Sequence, residues 1–145
     1  MGVTSFRRIL VGWDCSPGAA AALRAAAALA GGEEAHVVAL AVLRPAPHTE
    51  DTAEGAADFD GRQRFAEETF AKTRDLLPSG QRGRVTLRFA ESRDTARTVC
   101  EHAQQHGFDL LVMGRHGTGG VLHPRLGHVA SAVVKDGRLA VLLVP

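Results

Sequence analysis

The sequence has few cysteines that could form disulfides and little net positive charge that could attract a polyanion. Its 145 residues contain two cysteines, Cys15 and Cys100, which are far apart and form no CxxC pair. We therefore expect free thiols in a reducing compartment and not a disulfide framework. Lysine is scarce and the formal net charge is only +1. A charge this small argues against nucleic acid or an anionic membrane surface as a partner.

Long apolar runs are also missing. The run that follows Arg7 and Arg8 is short and ends before Asp14, so it is neither a signal peptide nor a membrane span. This absence predicts a cytoplasmic protein. The sequence contains no GxxxxGKS or GxxxxGKT loop, and no GxGxxG turn follows the first predicted strand. These absences argue against a P-loop protein and against a dinucleotide-binding fold.

What is present is an alternation of short apolar runs and helical patterns. A chain of this length with 45% hydrophobic residues can bury one core, which predicts a single domain over residues 1–145. The order β-α-β-α-β-α-β-α-β implies an α/β fold with parallel strands and helices on both faces of the sheet. The predicted strands are Arg8–Trp13, His36–Leu43, Val85–Ala90, Phe108–Met113 and Leu139–Val144.

Helix-capping and helix-terminating residues mark the ends of the predicted helices. Ser16 and Pro17 suit the first turn of a helix, and the Gly31–Gly32 pair suits its end. Residues 44–57 contain prolines, glycine and acidic side chains and predict a loop. The remaining predicted helices cover residues 58–77, closed by Pro78 and Gly80, then residues 94–106 and residues 129–135.

Asp14 follows the first strand, where an open parallel sheet binds its ligands. A carboxylate at that position can accept hydrogen bonds from ribose hydroxyls or from an adenine amine. It can equally open the turn before Ser16 and Pro17, and the sequence leaves both interpretations open.

A glycine-rich segment follows the fourth predicted strand, and Gly127 comes directly before the last predicted helix. Glycines let backbone amides approach an anion, and a helix start offers unpaired amides with a positive dipole end. Arg115 can add a bidentate contact to a phosphate. The alternative interpretation is a flexible connector without a ligand.

Three stretches together resemble the universal stress protein family over the whole chain. They are the opening Ile9–Ser16, the spacing Gly114-x2-Gly117-x9-Gly127 and the closing Val141–Pro145. The resemblance implies a three-layer fold with an open, parallel, five-stranded sheet in strand order 3-2-1-4-5. It also implies a stress-response regulator that binds ATP or AMP, with Mg²⁺ only as a companion of ATP, and a homodimer often built through the last strand. No catalytic constellation is identified, so weak ATP hydrolysis is the most we expect.

In the ATP-binding branch of that family, the aspartate after strand one contacts the nucleoside, and a valine at the end of strand two lines the adenine site. Asp14 matches the first, and Val42 matches the second best, with Ala41 one register away. The residue after the last glycine is normally serine or threonine, but here it is His128, so a hydroxyl is lost while the backbone amides remain. The resemblance thus assigns eight residues to the nucleotide site: Asp14, Val42, Gly114, Arg115, Gly117, Gly127, His128 and Val129.

His128 also motivates an alternative, a nucleotide-free dimer that acts by contact with a regulatory protein. Two smaller alternatives concern other residues. His102 and His106 stand four apart on a predicted helix, a spacing that can chelate zinc, but no convincing third ligand is near and both suit a solvated helix end. Cys15, at a strand-to-helix turn, is either a redox-active thiol or a small buried apolar residue.

Overall fold

The computed structural model describes residues 6–45, 53–116 and 126–145. The predicted site residue Gly117 and residues 46–52 of the predicted loop lie outside these ranges. The elements, in chain order, are β1 (Arg8–Gly12), α1 (Pro17–Leu29), β2 (His36–Leu43), α2 (Ala53–Asp75), α3 (Ser79–Arg82), β3 (Val85–Glu91), α4 (Thr95–Gln105), β4 (Leu110–Gly114), α5 (His128–Asp136) and β5 (Val141–Val144).

The five strands form one parallel sheet in the order β3-β2-β1-β4-β5. This confirms the predicted α/β fold and its strand order. In the central register, Val11 lies between Ala39 of β2 and Val112 of β4. The strand order reverses between β1 and β4, and an open parallel sheet forms its ligand crevice at such a reversal, beyond the carboxyl ends of the strands.

Helices cover both faces of the sheet. Because successive side chains of each strand point to opposite sides, each strand contributes to two cores. We call one side the α1–α2 face, where Ile9, Val11 and Trp13 of the first strand and its extension pack with residues of α1 and α2. On the other side, the α4–α5 face, Leu10 and Leu40 pack with residues of α4 and α5.

Helix α1 begins where its sequence predicts. The Ser16 Oγ accepts a hydrogen bond from the Ala19 amide at 3.1 Å, and Pro17 is the first helical residue. A serine cap of this kind stabilises a helix by about 1 kcal/mol. The buried side of α1 is almost entirely alanine, which brings its backbone close to the sheet.

The predicted bounds of α2 are wrong at both ends. Helix α2 begins at Ala53, inside the segment predicted as a loop, because alanine and Glu54 are strong helix formers and extending an existing helix costs little. After α2 ends at Asp75, Pro78 precedes the short helix α3 and Gly80 lies within it. Proline lacks an amide hydrogen, but its carbonyl still accepts the bond from the Gln81 amide at 2.9 Å that closes this turn.

The longest helix, α2, is polar on most of its surface. No helix within the described ranges is long and apolar enough to cross a membrane. Both cysteines are free thiols, Cys15 half-buried and Cys100 buried.

Candidate functional site

A cleft of about 1010 Å³ opens at the carboxyl edge of the sheet, beside the reversal between β1 and β4. Its walls come from the ends of β1, β2 and β4 and from α2, α4 and the start of α5. Small-molecule sites in proteins occupy about 300–1,000 Å³, so this cleft is at the upper end of that range.

Asp14 lies in the turn between β1 and α1 and lines the cleft. Its Oδ1 accepts hydrogen bonds from the Ser16 amide at 3.0 Å and from the Ser16 hydroxyl. Its Oδ2 makes no hydrogen bond with the residues that the structure describes, and the side chain is exposed. One oxygen therefore holds the turn while the other is available to a ligand, so the two interpretations of this residue are compatible.

Gly114 ends β4 at a point where two backbones touch. A Cβ placed on Gly114 would lie 3.0–3.2 Å from backbone atoms of Gly18 in α1. A Cβ on Gly18 would in turn lie 3.1 Å from the His116 carbonyl oxygen. The glycine at position 114 is thus required by helix-on-strand packing, whatever the cleft binds.

The start of α5 is tied to the end of β4 by the backbone. The Gly127 amide donates to the Arg115 carbonyl at 2.8 Å, and the Arg115 amide donates to the Val144 carbonyl at 2.9 Å. The first backbone hydrogen bond of this helix runs from the Ser131 amide to the Gly127 carbonyl. The amides of His128 and Val129 therefore have no partner within the helix and lie at its positive dipole end, on the wall of the cleft.

The two candidate positions at the end of β2 point to opposite faces. Val42 packs with the core of the α4–α5 face, together with Val129, whereas Ala41 is buried on the α1–α2 face. The structure therefore groups Val42, and not Ala41, with the start of α5. Seven of the eight residues predicted for the nucleotide site line this one cleft: Asp14, Val42, Gly114, Arg115, Gly127, His128 and Val129.

Sequence reasoning missed the contribution of α2 to the cleft. Arg62 donates from Nε to the Asp58 carboxylate at 3.2 Å and from both terminal nitrogens to the Arg44 carbonyl at 3.3 Å. These bonds hold α2 against the end of β2 and bring Phe65 to the cleft. Arg62 borders the predicted apolar stripe but is charged, and Phe65 lies about 100° from Ala66 around the helix, so the apolar periodicity gave no signal for either residue.

Trp13 was missed as well, although it immediately precedes Asp14. Its side chain is 4% exposed and meets the Phe70 ring edge-on, with the ring centroids 5.8 Å apart. The buried Nε1 has no hydrogen-bond partner in the described structure. Leaving a buried donor without an acceptor costs about 1–3 kcal/mol, so this indole is an unusual feature for a residue that borders a cleft.

The histidine pair lies away from the cleft, near the C-terminal end of α4. The rings of His102 and His106 have centroids 4.3 Å apart, and His102 stacks on Phe108. Burial, and to a smaller extent the charge of His106, lower the pKa of His102. Within the described ranges, no group of three or more histidine, cysteine, aspartate or glutamate side chains could hold a metal ion.

We compared the sequence and the fold with those of known proteins. The sequence model of the universal stress protein family matches residues 5–145. The universal stress protein UspA from Lactobacillus plantarum is similar in structure, with a TM-score of 0.84 and 21% identity over 99% of this chain and 100% of that chain. A protein of the same family from Burkholderia pseudomallei has a TM-score of 0.72 and 24% identity over 99% of this chain and 98% of that chain. A universal stress protein solved in complex with cAMP has a TM-score of 0.63 and 21% identity over 97% of this chain and 98% of that chain. A search of curated proteins gives no match.

Proposed function

The chain belongs to the universal stress protein family, and from that premise we propose that it is a stress-response regulator that binds an adenine nucleotide, ATP or AMP. The observation that carries the proposal is the convergence in one cleft of the Asp14 carboxylate and the first amides of α5, which have no partner within that helix. The cAMP complex of a structural neighbour is consistent with an adenine nucleotide as the ligand.

The nucleoside end of the ligand would be held at β1 and β2. The Asp14 Oδ2 would accept from ribose hydroxyls or from the adenine amine, since Oδ1 is already occupied by Ser16. Val42 lies on the α4–α5 face of the sheet and offers an apolar wall to the base.

The phosphate end would be held at α5. The amides of His128 and Val129 supply donors, Gly127 adds no side chain that would hinder an anion, and Arg115 brings positive charge to the same cleft. Mg²⁺ would arrive with ATP as a companion of its phosphates. We expect binding with at most slow hydrolysis.

The test is to denature the purified protein, identify any released small molecule by mass spectrometry and titrate ATP by calorimetry. We expect co-purified adenine nucleotide or micromolar affinity. Asp14→Asn keeps the Oδ1 acceptor for Ser16 but replaces the Oδ2 acceptor with an amide that can only donate. ATP affinity should therefore fall at least about tenfold, which is the loss of about 1.4 kcal/mol. Asp60→Asn, on the exposed surface of α2, is the matched control and should bind as the wild type does. Equal affinity of Asp14→Asn and the wild type would refute this assignment of the site.

The residue at the start of α5 favours a second candidate function. His128 occupies the first position of the helix and lines the cleft, where the resemblance to the ATP-binding branch implies a hydroxyl. A chain that has lost nucleotide binding would act as a dimer through protein contacts. Calorimetry on His128→Ser separates the two candidates, since affinity that appears only in this variant would assign the wild type to the nucleotide-free class.

We also propose that two copies of the chain pair through β5. This strand bonds to β4 on one side only and is an edge of the sheet. An edge strand presents unpaired amides and carbonyls that a second copy can satisfy across a two-fold axis. The proposed setting is a single domain in the reducing cytoplasm, which keeps both thiols free, with a regulatory protein and not nucleic acid as the further partner.

A further inference from the structure

The part of the cleft on the α4–α5 face is apolar except at one side chain. Six residues that line it belong to the hydrophobic core of that face: Leu40, Val42, Val99, Met113, Val129 and Ala130. The exception is Thr95, the first residue of α4. Sites for small molecules are typically apolar pockets in which a few polar groups orient the ligand.

Helix α4 places Thr95 opposite the end of β2. Thr95 and Val99 are four residues apart and share one side of the helix, and Val99 packs with Leu40 in the core. Val42 is two residues further along β2 than Leu40 and points to the same face. One turn of α4 and two residues of β2 therefore lead from the core pair Val99 and Leu40 to Thr95 and Val42 at the cleft.

The Thr95 hydroxyl has no hydrogen-bond partner among the residues that the structure describes. Three other helical threonines, Thr69, Thr73 and Thr98, each donate to the carbonyl four residues earlier. Thr95 is the first residue of α4, so the helix has no carbonyl at that distance. Thr95 is half-buried, and in the described ranges the only unpaired side-chain atom that is buried is the Trp13 Nε1. The Thr95 Oγ1 is therefore both unpaired and accessible from the cleft.

The order of the strands matches the order of the parts of a nucleotide. β2, β1 and β4 are neighbours in the sheet, about 4.8 Å apart. Val42 is near the end of β2, Asp14 follows β1, and the start of α5 is bonded to Arg115, the residue after β4. A nucleotide with its phosphates at α5 and its ribose at Asp14 thus has its base over Val42. The end of the base remote from the ribose then faces the start of α4.

We propose that the Thr95 Oγ1 accepts a hydrogen bond from the 6-amino group of the adenine, and that Asp14 binds the ribose hydroxyls. The 6-amino group projects from the end of the base remote from the ribose, and a hydroxyl can accept as well as donate. This inference rests on the proposed nucleotide function and adds to that site a residue of α4.

The first test compares two ligands on the unaltered protein by calorimetry. They are ATP and purine riboside triphosphate, which is ATP without the 6-amino group. We expect the wild type to bind the second about threefold to tenfold more weakly, the usual range for one hydrogen bond. Equal affinities would overturn the proposal, and this comparison needs no variant that could misfold.

The second test removes the hydroxyl. Thr95→Val keeps the branched shape, so it should weaken ATP binding by about the same factor and leave the affinity for purine riboside triphosphate unchanged. Thr95→Ser keeps the hydroxyl and should bind ATP as the wild type does. The matched control is Thr86→Val, at an exposed position of β3 that does not line the cleft. If Thr95→Val loses affinity for both ligands equally, the hydroxyl does not contact the 6-amino group.

This inference and the proposed function fail in different ways. A wild type that binds ATP, loses affinity in Asp14→Asn and is unaffected by Thr95→Val would refute the role of Thr95 and leave the nucleotide site standing. A wild type that binds neither ligand would refute both.

Discussion

A pair of glycines that are far apart in the sequence determines how α1 sits on the sheet. Gly18, in the first turn of the helix, and Gly114, at the end of β4, approach so closely that neither position has room for an ordinary Cβ. Because both partners are backbone, neither can rotate away. The contact fixes the first turn of α1 and the end of β4 on which the cleft is built.

We therefore predict that Gly114→Ala lowers the free energy of unfolding by about 1–3 kcal/mol, the usual cost of forcing extra atoms into a packed site. Urea denaturation monitored by the single tryptophan measures it. Gly61→Ala is the control, because the same change in α2 meets nothing within 4 Å and should stabilise the helix by about 0.5–1 kcal/mol. Equal midpoints for the two variants would contradict this account of Gly114.

The same residue shows what sequence reasoning could not supply. The spacing around Gly114 predicts a glycine that admits an anion, and the structure does place it on the cleft. Its contact with Gly18 joins two segments far apart in the chain, and no local pattern reveals it. Trp13 was missed for a related reason. Neighbouring residues of a strand point to opposite faces, so Trp13 was not expected to line the same cleft as Asp14.

At the level of elements, the bounds of the predicted strands and helices lie within two residues of the observed ones, except at the start of α2. The apolar run His36–Leu43 is β2 without change, because both faces of that strand are covered and its sequence is continuously apolar. The terminal strand β5 was predicted to begin at Leu139 but begins at Val141. Leu139 nevertheless packs on the α4–α5 face. Burial alone therefore does not define where backbone pairing starts.

Helix α4 carries a pH-dependent contribution to stability. Burial and then the charge of His106 lower the pKa of His102, so the unfolded chain binds a proton there more readily than the folded one. The native state should thus lose stability as the pH falls below about 6.5, the ordinary pKa of histidine. The lowered pKa of Asp136, caused mainly by a hydrogen bond from Arg138, acts in a separate and more acidic range.

We predict that the urea midpoint of the wild type falls between about pH 7 and pH 5, and that His102→Gln flattens this dependence. Far-UV circular dichroism at a series of pH values measures it. His36→Gln, an exposed position at the start of β2, should keep the wild-type slope. If the urea midpoint of His102→Gln changes with pH as steeply as that of the wild type, the pH dependence comes from another group.

At the scale of the whole molecule, the proposed dimer depends on β5. Leu142 is 36% exposed on this edge strand, so Leu142→Glu would bring a charge of the same sign from each copy into the interface. We predict a dimer for the wild type at micromolar concentration and a shift toward monomer in the variant, measured by sedimentation velocity. Leu76→Glu, at a position that is 79% exposed at the end of α2, should remain a dimer. A wild type that is monomeric at this concentration would refute pairing through β5.

The strand order also has a consequence for the nascent chain. β1 leaves the ribosome first but occupies the centre of the sheet, and its partner β4 is made only after α4. At about 5–20 residues per second, the hundred or so residues between them take about 5–20 seconds to synthesise. Throughout that interval one edge of a strand whose centre is the apolar run Ile9–Val11 has no neighbour, so β1 is the segment that a chaperone would have most reason to shield.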